Sequence, residues 1–197
     1  MRKSTHLEEV LLQSSPLINK YPLYVLLILS HLLLSACSYV IKPNIFEPSW
    51  MSYDKTNKKL NLELVAAWSA NNNGFNFNGY FQDSLTIHVP ADWLVNVLLI
   101  NLDGNAPHSI VVTEPYTAET IPEQLTGEFA VLNRAFTDSI FANERTQMTF
   151  KTKTGDYWFF CGDKGQGING MWVKFNVDKN IELPFIEIKN QLQNIRR

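Results

Sequence analysis

Cysteine is scarce: the 197 residues hold two, Cys37 and Cys161, far apart in the chain and in different surroundings. Histidine is nearly as rare, at His6, His31, His88 and His108. Neither sign of charge dominates. The 17 basic and 19 acidic residues leave a formal charge of −2, which offers no electrostatic footprint for DNA or RNA. Charged residues are 18% of the chain against 45% hydrophobic, and that balance builds a core rather than a disordered polymer.

A long apolar run is also missing. Tyr24 to Leu34 (YVLLILSHLLL) is shorter than the roughly 20 residues a membrane-spanning helix needs. Arg2, Lys3 and Lys20 precede it, and the small residues Ser35 and Ala36 follow, which is the layout of a secretory signal peptide. The stretch ends in Leu34-Ser35-Ala36-Cys37, which resembles the bacterial lipobox. The resemblance implies cleavage after residue 36 and lipidation of Cys37. Ser38, rather than aspartate, follows, and by resemblance to lipoprotein sorting the expected place is the outer membrane, facing the periplasm. One acyl chain anchors weakly, but three chains hold firmly, at about 0.8 kcal/mol per buried CH₂. An acylated Cys37 leaves Cys161 without a disulfide partner.

Residues 37–50 are polar, with Pro43 and Pro48, and read as a tether. From residue 51 to 180, short β-type runs alternate with turns. Leu60, Leu62 and Leu64 alternate with Asn61 and Glu63, after a turn at Asp54-Lys-Thr-Asn57. Further strands are expected at 85–89, 93–101, 109–113, 145–152, 157–161 and 171–177. About eight strands at this spacing predict an all-β fold, a Greek-key sandwich. Leu125, Phe129, Leu132 and Phe136 have helical spacing, so a short helical insertion is expected within 123–143. Residues 181–197 read as a polar tail that could close in a short helix.

Two loops carry the chemistry. His108 lies in Asn105-Ala-Pro-His-Ser109, directly after a long apolar strand. Cys161 ends the aromatic strand Tyr157-Trp-Phe-Phe, and Met171 opens the next strand ten residues on. Four glycines between them (162, 165, 167 and 170) let the loop fold back on itself. Thiolate, imidazole and thioether are the donors of a mononuclear blue-copper site. Four histidines are too few for a multicopper oxidase. The absence of a second cysteine beside Cys161 excludes a two-copper centre of the oxidase type.

At these residues the sequence resembles the sulfocyanins and, more loosely, rusticyanin and other cupredoxins. The likeness runs from about Met51 to Val177. It is carried by Phe75-Asn-Phe-Asn-Gly79, Leu85-Thr-Ile-His-Val-Pro90, Trp93, Asn101, Pro107-His108-Ser109, Tyr157-Trp-Phe-Phe-Cys161-Gly162 and Gly170-Met171-Trp172. It implies a cupredoxin-like fold holding one copper ion, with His108, Cys161 and the axial Met171 as ligands. The family has a second histidine five residues after the cysteine, and here that position is Gln166. An amide oxygen is a harder, weaker donor than imidazole. His88 is the spare imidazole of the body, on a strand with no evident reason to reach the site. The implied function is a membrane-anchored one-electron carrier with redox proteins of the periplasm as partners, and not an enzyme. Two alternatives stand beside it: a Cu(I) storage or delivery protein, for which an N,S,S donor set suffices, and a metal-free binding module that kept the fold.

Overall fold

The computed structural model describes residues 47–189. The signal peptide, Cys37 and most of the tether lie outside the described residues, as do residues 190–197. Among the described residues nine strands form two sheets. They are β1 (Met51–Asp54), β2 (Lys59–Ala66), β3 (Gln82–Pro90), β4 (Leu94–Asn101), β5 (Val111–Thr113), β6 (Arg145–Lys151), β7 (Gly155–Phe160), β8 (Trp172–Asp178) and β9 (Phe185–Ile188). One sheet has the order β1-β2-β4-β6, and the other has β5-β7-β8-β3-β9. The β2/β4 and β3/β8 pairs are parallel and the rest antiparallel, as crossovers between two packed layers require.

The alternation in the sequence becomes the interior. Leu60, Leu62 and Leu64 of β2 and Val95, Val97 and Leu99 of β4 are buried and meet Ile87, Val89, Phe159 and Phe175 of the second sheet. Asn61 and Glu63 point to solvent. The expected turn forms between β1 and β2, where Asp54 Oδ1 accepts the Asn57 N–H at 3.0 Å.

Two expectations fail. The helical insertion within 123–143 is absent apart from a 3₁₀ turn at Gly127–Phe129. Leu125 and Leu132 are buried, but Phe129 and Phe136 are exposed, so the helical spacing does not mark one buried face. The segment instead satisfies the open edge of β5. Val131 donates to the Val112 carbonyl at 3.0 Å, the Val112 N–H donates to Ala135 at 2.9 Å, and Thr137 donates to Ile110 at 2.8 Å. An unpaired buried edge costs more than a marginal helix gains. The second correction is in the tail, where residues 185–188 form β9 rather than a helix. β9 pairs with β3, with Ile186 buried opposite Ile87.

Candidate metal centre

β7 and β8 bring two sulfur side chains together. Phe160 stands opposite Trp172, and on the next rung the Cys161 N–H donates to the Met171 carbonyl at 2.9 Å. Residues directly opposite in an antiparallel pair share a face, with Cβ atoms about 4.5–5.5 Å apart. Cys161 and Met171 therefore both enter the inter-sheet core, where each is fully buried. Phe160 and Trp158 turn to the opposite face and join a second cluster with Val111 and Leu125, against which Trp172 packs.

The loop between the two sulfurs is tightly wound. The Met171 N–H donates to the Gln166 carbonyl at 3.1 Å, and the Gly170 N–H donates to Gly167 at 2.9 Å. Gly167 packs against the Phe160 ring, and a Cβ there would overlap it. Gly170 has φ +96°, and a Cβ would stand 2.6 Å from Gln82 Nε2. Gly167→Ala forces the buried Phe160 ring aside and is expected to cost about 1–3 kcal/mol. Denaturant unfolding checks this, and an unchanged midpoint would show that the ring yields freely.

His108 enters from the loop between β4 and β5. Its backbone N–H and carbonyl pair with those of Ile140, at 3.0 and 2.9 Å. Asparagine and aspartate side chains shape the loop before it. Asn101 Nδ2 donates to the Ala106 and Ile140 carbonyls at 2.9 and 2.8 Å, while Asn101 Oδ1 accepts the Asp103 N–H at 2.7 Å. Asp103 Oδ1 accepts the Asn105 N–H at 2.8 Å. This leaves Asp103 Oδ2 3.1 Å from His108 Nε2, and the fully buried imidazole turns Nδ1 to within 3.9 Å of Cys161 Sγ.

Gln166 joins the same point. Its Nε2 donates to the Pro107 carbonyl at 2.9 Å. A carbonyl only accepts, so the amide nitrogen must face Pro107 and the amide oxygen must face the thiol. Gln166 Oε1 is 3.1 Å from Cys161 Sγ. All four residues named from sequence thus converge: His108, Gln166 and Cys161 by side-chain distance, and Met171 by its rung.

Asp163, two residues after Cys161, is held by Ser139. Its Oδ1 accepts Ser139 Oγ–H at 2.8 Å, and its Oδ2 lies 3.9 Å from Cys161 Sγ. Lys164 lies at the surface, 3.6 Å from Glu123. Burial pushes the Cys161 thiol up to about 12; the backbone N–H groups of Ser109 and Asp163 and the Ser109 side chain pull the other way, while the Asp163 charge adds to the rise. Burial also raises Asp103, but the Asn105 N–H, the His108 ring and the Ala106 N–H outweigh it and leave that carboxyl below its ordinary value.

Among the described residues no three His, Cys, Asp or Glu side chains converge as a metal site. Any ion held here needs the thioether or the amide as well. The donor chemistry fits a soft first-row ion. One ion with bonds of about 2.0–2.3 Å reaches across 3.9 Å to both a sulfur and an imidazole nitrogen. His88 does not take part. Its ring stacks on Phe185 with centroids 4.4 Å apart, and its Nδ1 is 3.1 Å from Asn176 Oδ1. Asn176 is five residues along β8 from Met171, roughly 16 Å at strand rise.

Asp103 and Ile140 were not singled out from sequence, and Asn101 and Pro107 entered only as part of the family likeness. Asn101-Leu-Asp-Gly-Asn105 is a visible turn signal, but nothing in it announces that Asp103 meets His108.

Comparison with known proteins gives a consistent result. The family described as the Sulfocyanin (SoxE) domain matches residues 48–188. A sulfocyanin from Sulfolobus acidocaldarius is 28% identical over 144 residues, spanning 69% of this chain and 72% of that protein. A crystal structure of rusticyanin variants superposes with a TM-score of 0.50 at 18% identity, over 68% of this chain and 86% of that one, and shares the fold. Reduced auracyanin from Roseiflexus castenholzii aligns with a TM-score of 0.44 at 17% identity, over 60% of this chain and 96% of that one.

Proposed function

From the premise that the chain belongs to the sulfocyanin family, we propose that it is a one-electron carrier built on a single copper ion held by His108, Cys161 and Met171, with the Gln166 amide oxygen beside them. Bound copper supplies the Cu(II)/Cu(I) couple. The observation that carries the reading is a buried thiol 3.9 Å from a buried imidazole nitrogen, with a buried methionine on the same rung as the thiol.

Each part of the site serves a carrier. Cys161 and Met171 supply soft sulfur, which suits Cu(I), and His108 supplies an imidazole, which accommodates Cu(II). Cys161 and Met171 sit on one rung of a sheet, and His108 is pinned on both sides to Ile140. Donors held so rigidly keep the same places in both oxidation states, which lowers the reorganisation that electron transfer requires. Full burial of all three keeps solvent from competing for the ion.

A second reading has its own observation. The Gln166 oxygen stands where the family places an imidazole, so the donor set is weighted toward Cu(I), as in a storage or delivery protein. Anaerobic titration with each oxidation state, followed by a redox titration, separates the two. A reversible one-electron couple supports the carrier; tight Cu(I) with no stable Cu(II) form supports storage.

The reading also places the protein on the outer membrane, facing redox partners in the periplasm, through lipid on Cys37. Its support is the Leu-Ser-Ala-Cys run after a short apolar stretch. Growth with labelled fatty acid is expected to mark the wild-type protein, and Cys37→Ser to abolish the label and release the protein from membranes. A Cys37→Ser protein that is labelled and membrane-bound like wild type would refute the anchor.

A further inference from the structure

We propose that Asp103 is a positioning residue for His108: its carboxylate holds the imidazole as the Nε2–H tautomer and so turns the Nδ1 lone pair toward the thiol of Cys161. The effect on copper rests on the copper reading above; the tautomer is a property of the chain and stands apart from it.

A neutral imidazole has one donor and one acceptor nitrogen, and its surroundings choose which is which. An ionised carboxylate only accepts. With Asp103 Oδ2 at 3.1 Å, a proton on Nε2 makes a charge-assisted hydrogen bond. A proton on Nδ1 would instead set the Nε2 lone pair against a negative oxygen and point N–H at the sulfur. The ring cannot escape the choice by swinging out. It is fully buried, and both of its backbone groups are bonded to Ile140. The carboxylate is equally fixed, because its other oxygen accepts the Asn105 N–H and the Asp103 backbone N–H donates to Asn101 Oδ1.

The consequence is electronic as well as geometric. A carboxylate on the far nitrogen raises the basicity of the near one, and such outer partners change metal affinity about ten- to hundredfold. Cu(II) gains more from a basic imidazole than Cu(I) does. Asp103 therefore supplies, through the one imidazole of the set, part of what the family's second imidazole supplies elsewhere. It opposes the pull of two sulfurs and an amide oxygen toward Cu(I).

The test uses the full chain, with Asp103→Asn as the near-isosteric change and Asp103→Glu as the conservative one. Nitrogen-15 NMR of the metal-free protein reads the His108 tautomer directly. Wild type and Asp103→Glu are expected as Nε2–H, and Asp103→Asn as a mixture shifted toward Nδ1–H, since an amide can present either end. With copper, Asp103→Asn is expected to lose Cu(II) affinity about ten- to hundredfold while Cu(I) affinity changes less. At 59 mV per tenfold change in the ratio of the two affinities, the potential then rises by up to about 60–120 mV. A wild-type His108 protonated on Nδ1, or the same tautomer in wild type and Asp103→Asn, would overturn the proposal. If wild type binds no copper, the copper reading fails and the NMR comparison still decides this one. If Asp103→Asn does not fold, the tautomers of wild type and Asp103→Glu decide it: Nε2–H in both upholds the role, and Nδ1–H in either refutes it.

Discussion

Cys161→Ser is expected to abolish stoichiometric copper binding and any thiolate-to-copper absorption, while leaving the fold intact. Serine is close in size to cysteine, and the Cys161 N–H bond to Met171 does not involve the side chain. A hydroxyl is neither soft nor readily ionised, so the main donor to Cu(I) disappears. The loss should exceed the ten- to hundredfold typical of changes outside the ligand shell. The same thiol makes binding pH-dependent. Burial lifts it to about 12, so below that value each bound ion must displace one proton. Affinity therefore rises with pH, by about tenfold per unit over the range where only this group changes protonation. Competition assays against a copper chelator at several pH values measure both effects. Equal copper retention by Cys161→Ser and wild type would remove Cys161 from the site.

Gln166→His is expected to produce the largest gain. In wild type an amide oxygen faces Cys161 Sγ at 3.1 Å, on the residue five after the cysteine, where the resemblance to the sulfocyanins implies an imidazole. An amide donates weakly to Cu(II), so the wild-type Cu(II) form should absorb weakly, with a high potential, or yield readily to Cu(I). Imidazole at this position should tighten Cu(II) binding, lower the potential and bring up a strong thiolate charge-transfer band. The exchange has a cost, because it removes the Nε2 hydrogen bond to Pro107, about 0.5–1.5 kcal/mol. The gain in Cu(II) binding should outlast that loss. A parallel Cu(II) titration followed by absorption and paramagnetic resonance decides the matter. A wild type already fully blue, with a spectrum unchanged in the variant, would show that Gln166 does not limit the site.

What the sequence announced was local, and what it concealed was long-range. The Leu60-Leu62-Leu64 alternation revealed a strand because the period of a pleated sheet is written in neighbouring residues. The Cys161 and Met171 pair was legible for the same reason, since each adjoins a strand and a glycine-rich loop joins them. The segment 123–143 misled because Leu125, Phe129, Leu132 and Phe136 imitate a helix, while its backbone is in fact spent on the edge of β5. No local pattern shows that Ile110 and Val112 need those partners. β9 was hidden in a charged tail for a similar reason: Ile186 finds its place only once β3 exists. The identity of Gln166 was plain, but the direction of its amide comes from Pro107, 59 residues earlier. Asp103 stayed invisible because a carboxylate five residues before a histidine has no meaning until Asn101 bends the loop.

The account rests on one copper ion that cycles at His108, Cys161 and Met171. The measurement that reaches this most directly is a redox titration of wild-type protein loaded with one equivalent of copper and freed of excess by gel filtration, followed by paramagnetic resonance and visible absorption. The account predicts one copper per chain, a reversible one-electron couple, and a thiolate-to-copper band in the oxidised form that is weaker than that of Gln166→His. Protein that emerges without copper, or that holds Cu(I) and cannot be cycled through Cu(II), would contradict it.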